Sequence, residues 1–491
     1  MLITVNKDSK KTAFEQIFSQ ITGLINAGTL PVGSRLPSSR ELAKKTGVNR
    51  TTVIRVYEEL WAQGYTESRP GSYTTVRQRQ SIISPEKDSN DHTTEVNIFR
   101  DHLGLQYDHM MYYLENEKAL ENDKINFLQL SPDTRLLDKK LMNACLKNTF
   151  ADTKTDPFNF TQARGYPPLR QEIVKHMKLH HLHADDKNVL VTNGSLQSLQ
   201  LIFQVFSKPG DCIVIEKPTY SIILLFIKIF QLKIIEVPVN GQGMDMNLLK
   251  EALMKNSVRF VYSMPTYHNP TGISMSQKNR EELLRLCGEK DCIIIEDSIE
   301  EEMNLSGTTY LPLKSIDRRG QVIYLGALTK VMAAGLRMGW IIAAPECIKK
   351  LTVLKSIFEI SSSTLNQILL YQLFTQGAFE AHLRKSLRIF RKRMRVAVNS
   401  IRKYIPAEKI EWVEPNGGYM IWIKLLTVPI KTIETHFSNH GVLIHNGKYF
   451  FAREQSFDYI RICIAQTNEA EIEEGIKRIG IAINALEYKG R

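Results

Sequence analysis

Hydrophobic positions divide the chain into two differently patterned regions. Over residues 13–26, and again after residue 49, apolar side chains recur every three or four positions, which predicts amphipathic helices. From residue 125 onward, short apolar runs alternate with longer amphipathic segments, and this alternation is typical of an α/β fold with a mostly parallel sheet. The runs that we interpret as strands are 189–192, 212–216, 233–237, 260–264, 292–296 and 322–326.

A polar stretch separates these two regions. Residues 78–122 contain few periodic apolar positions and include a Ser-Pro pair and a short charged run, so they are interpreted as a linker. The predicted organisation is therefore a small domain over 1–77, a linker over 78–122 and a large domain over 123–491. A chain of 491 residues with 43% hydrophobic residues can build one large core and a smaller one.

Half of the excess positive charge lies at the N-terminus. The whole chain carries a net +12, and residues 1–80 hold 12 basic against 6 acidic side chains. A basic block favours a polyanionic partner such as nucleic acid, although a solvated surface would explain the charge alone equally well.

Cysteine and hydropathy patterns narrow the class of protein further. The six cysteines form no C-x-x-C pair and no histidine cluster completes a zinc pattern, so we expect reduced thiols, no metal and a cytoplasmic location. The most apolar stretch, 222–235, is interrupted by Lys228 and Lys233 and is too short to span a membrane.

The N-terminal pattern predicts a winged helix-turn-helix. A first helix is followed by a second that Ser38 or Ser39 can cap, and after Gly47 a third helix begins near Asn49. Two short strands, 65–68 and 73–76, flank a Pro-Gly turn and would form the wing.

The residue types in this region suit DNA. Asn49 and Arg50 open the third helix, where side chains can reach adenine and guanine edges in the major groove. Arginines on the second helix and wing are suited to phosphate contacts. A helical bundle used for protein contacts is the alternative. The predicted DNA-binding residues are Arg35, Ser39, Arg40, Asn49, Arg50, Thr51, Thr52, Arg69 and Gly71.

Segments 33–43 (GSRLPSSRELA) and 49–53 (NRTTV) resemble the winged helix of GntR-type bacterial regulators. The resemblance extends over about 65 residues and implies a double-stranded DNA operator as partner. One departure is Tyr73, which occupies a wing position where glycine is usual.

Candidate chemistry in the large domain falls at predicted strand ends. Lys330 follows the strand 322–326, and a small-residue turn at 192–197 leaves backbone N–H groups at a helix N-terminus. Tyr220, Asn269 and Asp297 follow other strands. Each feature alone is ordinary, but α/β sheets bind ligands at this edge. A lysine, an acid and phosphate donors are the set that pyridoxal 5'-phosphate (PLP) requires.

In this order and spacing, residues 125–485 resemble fold-type I PLP-dependent aminotransferases. The resemblance implies a large domain with a mostly parallel central sheet and a smaller C-terminal α+β subdomain. It also implies a Schiff base on Lys330, pairing of Asp297 with the pyridine nitrogen and a hydrogen bond from Asn269 to the ring hydroxyl. The remaining implied roles are ring stacking by Tyr220, phosphate binding by Ser195, Leu196, Gln197, Thr329 and Arg337, and binding of an amino-acid carboxylate by Arg461.

Both parts together resemble the MocR/GabR family, which implies a transcription regulator that senses an amino compound or PLP and forms a head-to-tail homodimer. Departures from the family pattern predict weaker cofactor binding. Ile299 replaces a usual tyrosine, Ala327 a phosphate-binding hydroxyl residue, and Phe160 a tyrosine of the partner chain. Ile222 replaces an arginine and argues against γ-aminobutyrate as the effector.

Two alternatives remain open at this point. An active aminotransferase with an appended DNA-binding domain would use the same residues. A DNA-binding protein whose large domain has lost the cofactor would keep only the dimerisation role. The sequence identifies neither the effector nor the operator, and it does not distinguish activation from repression.

Overall fold

The computed structural model describes residues 3–6, 9, 11–67, 73–77, 114, 124–151, 155–328, 330–426, 433–453 and 459–486. They form two compact units, one within residues 1–100 and the other within 101–491. Apart from Leu114, the predicted linker 78–122 lies outside the described residues. Among the residues that are described, no helix has the length and apolar character needed to cross a membrane.

The N-terminal unit contains the predicted helices and hairpin. Its elements are α1 (Ala13–Asn26), α2 (Ser39–Thr46), α3 (Arg50–Ala62), β1 (Thr66–Glu67) and β2 (Thr75–Val76). Each helix begins at a capping side chain, namely Thr12, Ser38 and Asn49. The apolar faces of the helices meet in one small core, and the β1–β2 pair is antiparallel. The predicted helix-turn-helix and paired wing strands are therefore confirmed.

The large unit alternates strands and helices. Its strands are β3 (Ile125–Asn126), β4 (Val189–Thr192), β5 (Cys212–Lys217), β6 (Lys233–Asn240), β7 (Gly243–Met244), β8 (Val258–Ser263), β9 (Ile293–Asp297), β10 (Val322–Ala327), β11 (Gly339–Ile342), β12 (Ile410–Trp412), β13 (Met420–Leu425), β14 (Val442–Leu443), β15 (His445–Asn446) and β16 (Tyr459–Cys463). Its helices are α4 (Lys139–Ala151), α5 (Pro167–Met177), α6 (Ser195–Phe206), α7 (Ser221–Ile229), α8 (Met246–Lys255), α9 (Gln277–Gly288), α10 (Pro345–Phe358), α11 (Thr364–Thr375), α12 (Ala378–Tyr404), α13 (Ile433–Asn439) and α14 (Glu469–Asn484).

One central sheet organises this unit, with strand order β4-β11-β10-β9-β8-β5-β6-β7. All six strands predicted from apolar runs are present, and β6, β5, β8, β9 and β10 run parallel to one another. The sequence did not predict β11, which lies antiparallel between β4 and β10. The prediction of a mostly parallel sheet is confirmed.

Helices cover both faces of the sheet. Leu199 of α6 and Leu351 of α10 pack in one core with Leu190 of β4. On the other face, Leu169 of α5 packs with Val191 of the same strand. Successive strand residues point to opposite faces, so both faces of β4 are buried. The carboxyl ends of the parallel strands are left as the edge where loops converge.

The predicted C-terminal α+β subdomain is also present. It contains the sheet β12-β13-β16-β15 and a separate parallel pair, β14 with β3. Residues of α12 and α14 share a core with these strands. Because β3 lies near the start of the large unit, this subdomain is assembled from both ends of the unit.

Candidate functional site

A cavity of about 420 Å³ lies at the carboxyl edge of the central sheet. Five residues predicted from the sequence line it together: Leu196, Tyr220, Lys330, Arg337 and Arg461. The structure adds lining residues that the sequence did not suggest, among them residues 128–131 and His445. These come from the segment after β3 and from β15, so they reach the cavity through chain pairing that no local pattern reveals.

One wall of the cavity is the N-terminus of α6. Gly194 precedes this helix with a φ of +92°, which favours glycine, and no side chain caps the helix. Arg337 Nη2 donates a hydrogen bond to the Asn193 carbonyl oxygen at 3.3 Å, so its guanidinium lies beside the first turn. Gln197 Oε1 accepts from the Asn193 N–H at 2.8 Å. A helix N-terminus with an adjacent arginine can bind a phosphate.

Asp297, at the end of β9, is fully buried next to this cavity. The Tyr262 hydroxyl donates to its Oδ2 at 2.8 Å, whereas Oδ1 has no hydrogen-bond partner among the described residues. Burial raises the pKa of Asp297 to about 6, although the Tyr262 hydroxyl, the backbone of Ile299 and the Lys330 charge favour the ionised form. A protonated ring nitrogen would satisfy the unpartnered oxygen, so this residue fits its implied role.

Lys330 follows β10 and is half-buried. Its Nζ donates to the Leu130 carbonyl oxygen at 3.0 Å, and its own carbonyl oxygen accepts from the Tyr419 hydroxyl at 2.7 Å. Burial lowers the pKa of the Lys330 amine, while the Glu300 carboxyl group acts in the opposite direction. A lowered amine pKa increases the neutral, nucleophilic fraction at a given pH.

Asn269 and Arg461 meet at the side of the cavity formed by the C-terminal subdomain. Arg461 lies on β16 and donates to Asn269 Oδ1 at 3.3 Å and to the Leu128 carbonyl oxygen at 2.9 Å. Both side chains are buried, and the Asn269 amide nitrogen has no hydrogen-bond partner among the described residues. A buried guanidinium can bind a carboxylate through two parallel hydrogen bonds.

The residues that depart from the family pattern lie partly in a hydrophobic core and partly on the surface. Ile299 is buried in a hydrophobic core, together with Ala327. The next residue, Glu300, is the neighbour that most strongly favours charge on Lys330, and no sequence pattern indicated it. Phe160 is 70% exposed on the surface of the large unit. Thr329 lies outside the described residues.

On the N-terminal unit, several of the predicted DNA-binding residues lie at the start of α3 or on the adjoining α2. Arg50 Nε donates to Ser39 Oγ at 3.3 Å, which joins α3 to α2, and Arg40 and Thr51 are exposed. Asn49 is the helix cap, because its Oδ1 accepts from the Thr51 N–H. Thr52 is half-buried, and Arg69 and Gly71 lie outside the described residues.

The wing departure at Tyr73 has a structural consequence. The Arg35 guanidinium lies over the Tyr73 ring, with its central carbon 4.6 Å from the ring centroid. Such cation–π contacts hold an arginine in place while its edge stays hydrated. Tyr73 therefore orients a residue predicted to contact phosphate.

A second polar cluster lies elsewhere in the large unit. His176 and His180, one helical turn apart, both contact Glu302 Oε1, at 2.6 and 3.0 Å. Their donor atoms lie close enough together to hold a metal ion. Burial opposes charge on His180, but Glu301 and Glu302 outweigh burial and raise its pKa to about 11. Ion pairing within the cluster accounts for this arrangement.

Comparisons with known proteins match both units. The family model "Bacterial regulatory proteins, gntR family" matches residues 13–76, and "Aminotransferase class I and II" matches residues 129–479. The second match covers more than half of the chain, so the chain belongs to the aminotransferase class I and II family.

Full-length and partial relatives agree with this division. The chain is 29% identical to the HTH-type transcriptional regulator YdfD of Bacillus subtilis over 98% of each chain. It is 30% identical to aromatic-amino-acid aminotransferase 1 of Thermococcus litoralis, over 74% of this chain and 88% of that one. The crystal structure of Pyrococcus horikoshii kynurenine aminotransferase with PMP superimposes with a TM-score of 0.73 at 26% identity, covering 80% and 98% of the respective chains.

A gntR-type winged helix joined to an aminotransferase-like domain defines a class of transcription regulator. This chain has both parts in that order, and relatives of the same full length are HTH-type transcriptional regulators. The chain is accordingly a regulator of the MocR/GabR type, as the sequence motifs predicted.

Proposed function

We propose that this regulator binds operator DNA through its winged helix and senses a small amine or amino acid, or PLP itself, in the cavity of its large unit. We also propose that it works in the cytoplasm. The observation that carries the proposal is the unpartnered Oδ1 of buried Asp297 beside Lys330. A buried carboxylate with one oxygen lacking a hydrogen bond lowers the stability of the folded protein. A cationic group of a ligand would offset this loss.

The side chains present fit PLP. When bound, the cofactor supplies a carbonyl carbon that condenses with amines. Lys330 would hold it covalently, Asp297 would accept a hydrogen bond from its ring nitrogen, and Tyr220 would stack on the ring. Arg337 and the first turn of α6, which includes Ser195, Leu196 and Gln197, would bind its phosphate.

Asn269 would bind the ring hydroxyl of the cofactor. Arg461 would bind the effector by pairing with the carboxylate of an amino acid. Effector binding changes DNA affinity only if the effector prefers one arrangement of the protein over another.

Fluorescence anisotropy with labelled operator DNA, recovered by selection from a random duplex library, would test this function. Titrations are made for the apo protein, with PLP, and with PLP plus each of a panel of amines and amino acids. We expect at least one combination to change the DNA affinity of the wild type, and Lys330→Ala to abolish the change. Equal DNA affinity under all conditions would contradict ligand sensing while leaving DNA binding intact.

We also propose a head-to-tail homodimer. Phe158 and Phe160 are 79% and 70% exposed, and the Phe158 ring stacks on the ring of Phe150, which is 54% exposed, with 6.1 Å between the ring centroids. Contiguous exposed aromatic side chains favour burial against another surface. Light scattering after size exclusion should give twice the chain mass of 56.3 kDa, and Phe158→Glu should shift the mass towards the monomer. A wild-type monomer at micromolar concentration would contradict the proposal.

Active transamination is the second candidate function, because the lysine, acid and arginines of an aminotransferase site are all present. Steady-state assays with amino acids and 2-oxo acids would distinguish an enzyme from a sensor. Multiple turnovers that Lys330→Ala abolishes would support the enzyme, and a single half-reaction without turnover would support the sensor.

A further inference from the structure

Glu300 is a buried acid that interacts with Lys330 and Arg461 of the candidate ligand site and has no role in the proposed function. It is 1% exposed, and no side chain among the residues that the structure describes donates a hydrogen bond to its carboxylate oxygens, although the backbone N–H of Tyr419 favours its ionised form. A carboxyl group at this degree of burial is rare unless a ligand or a charge compensates it. Glu300 therefore requires an explanation beyond packing.

Cationic groups lie around this carboxyl group. Burial raises the pKa of Glu300 to about 8, while the positive charges of Lys330 and Arg461 favour its ionised form. In return, Glu300 is the strongest of the neighbours that favour charge on Lys330. The titratable and charged groups acting on this pair from the surrounding elements are Asp297 of β9, Arg337, Tyr419, and Arg461 and Cys463 of β16.

The loop before β13 lies against the carboxyl group of Glu300. A Cβ atom at Gly418 would lie 3.0 Å from Glu300 Oε2, and Gly418 has a φ of +70°, so glycine is favoured there twice over. The adjacent Tyr419 donates its hydroxyl hydrogen to the Lys330 carbonyl oxygen at 2.7 Å. The same loop thus contacts both Glu300 and Lys330.

We propose that Glu300 is a positioning residue for Lys330, which keeps positive charge on the lysine nitrogen and so sets the pH range in which that nitrogen reacts. The proposal deepens the proposed function, since Lys330 is the residue that would hold the cofactor. It does not depend on that function, because the charge on the lysine can be measured in apo protein.

Competitive acetylation of the full-length apo protein provides this test. Trace acetic anhydride labels Lys330 between pH 6 and 10, deuterated reagent completes the labelling after denaturation, and mass spectrometry of the Lys330 peptide gives the reactive fraction. We expect Glu300→Gln to lower the apparent pKa of Lys330 by about one pH unit or more, which is roughly tenfold more reaction at pH 8. Glu300→Asp, which keeps the charge, should restore most of the difference.

Two controls separate this effect from a change of structure. Glu281→Gln removes an exposed carboxylate of the same unit and should leave the Lys330 profile unchanged. Thermal melts followed by circular dichroism establish that each variant is folded, and Glu300→Met, which is also neutral, serves as the test variant should the glutamine variant unfold. Identical Lys330 profiles in the folded wild type and in a folded neutral variant would overturn the proposal.

A second measurement uses PLP-loaded protein. The pH at which its visible absorbance changes should fall in Glu300→Gln in the same direction as the apo profile. A wild type that takes up no PLP, with no borohydride-trapped mass on Lys330, would contradict the proposed cofactor. The acetylation result would still decide the role of Glu300.

Discussion

Replacing Asp297 with asparagine should change the stability of the apo protein and its affinity for PLP in opposite directions. In the apo protein the carboxylate is buried with one oxygen unpartnered, so its charge is destabilising. With PLP bound, the same charge would accept a hydrogen bond from the protonated ring nitrogen. Asparagine is almost the same size but neutral. It therefore removes both the destabilising charge of the apo protein and the hydrogen bond between that charge and the ring nitrogen of PLP.

The pKa of Asp297 gives the magnitude for the apo protein. An increase from 3.8 to about 6 corresponds to roughly 3 kcal/mol of lost stability above pH 6. Because the folded-state pKa is the higher one, this loss develops as the pH rises from about 4 to about 6. About 3 kcal/mol is a ceiling for the gain in Asp297→Asn, because the new amide N–H groups are buried too.

The affinity for PLP should fall in Asp297→Asn, whereas the stability of the apo protein should rise. A hydrogen bond to a charged group contributes about 1.5–3 kcal/mol, so PLP should bind roughly 10- to 150-fold more weakly to Asp297→Asn. Differential scanning fluorimetry of apo protein at pH 5 and 8, with absorbance titration of PLP, measures both effects. Asp291→Asn, an exposed change that leaves the pocket intact, is the control. Unchanged PLP affinity, or an apo variant less stable than wild type at pH 8, would refute the reasoning.

Three further predictions concern other parts of the molecule. Arg337→Met should weaken PLP binding by about tenfold or more, while the affinity for pyridoxal, which lacks the phosphate, stays unchanged in the same titration. Asn49→Ala should lose both DNA affinity and about 1 kcal/mol of helix capping; Asn49→Ser keeps a cap, so a loss of anisotropy signal at unchanged melting temperature would isolate the base contact. The raised pKa of His180 stabilises the fold most below pH 6.5 and progressively less as the pH approaches 11. The melting-temperature gap between wild type and Glu302→Gln should therefore narrow from pH 6 to pH 10, and a gap of constant size would argue against the ion pair.

Most of the fold could be predicted because its elements have strong local signals. Apolar runs between turns mark buried parallel strands, and capping residues such as Ser38 and Asn49 mark helix starts. The missed elements lack such signals. Strand β11 lies antiparallel between β10 and β4, and its pairing with β4 joins segments about 150 positions apart in sequence. Likewise, β3 pairs with β14 more than 300 positions later, and this pairing brings residues 128–131 to the cavity.

The acids at the end of β9 explain why the candidate site could be predicted only in part. Glu296 and Asp297 are adjacent on a strand, so their side chains point to opposite faces. Glu296 Oε1 and Oε2 accept hydrogen bonds from the backbone N–H groups of Leu313 and Lys314 at 2.7 and 2.8 Å, whereas Asp297 lies beside the cavity. Glu300 comes after the strand, in a turn of the chain. The hydrophobic pattern of the sequence does not predict where a side chain in such a turn points. A run of acids after an apolar strand therefore locates a site, but strand alternation and the following loop decide which of the acids can act on a ligand.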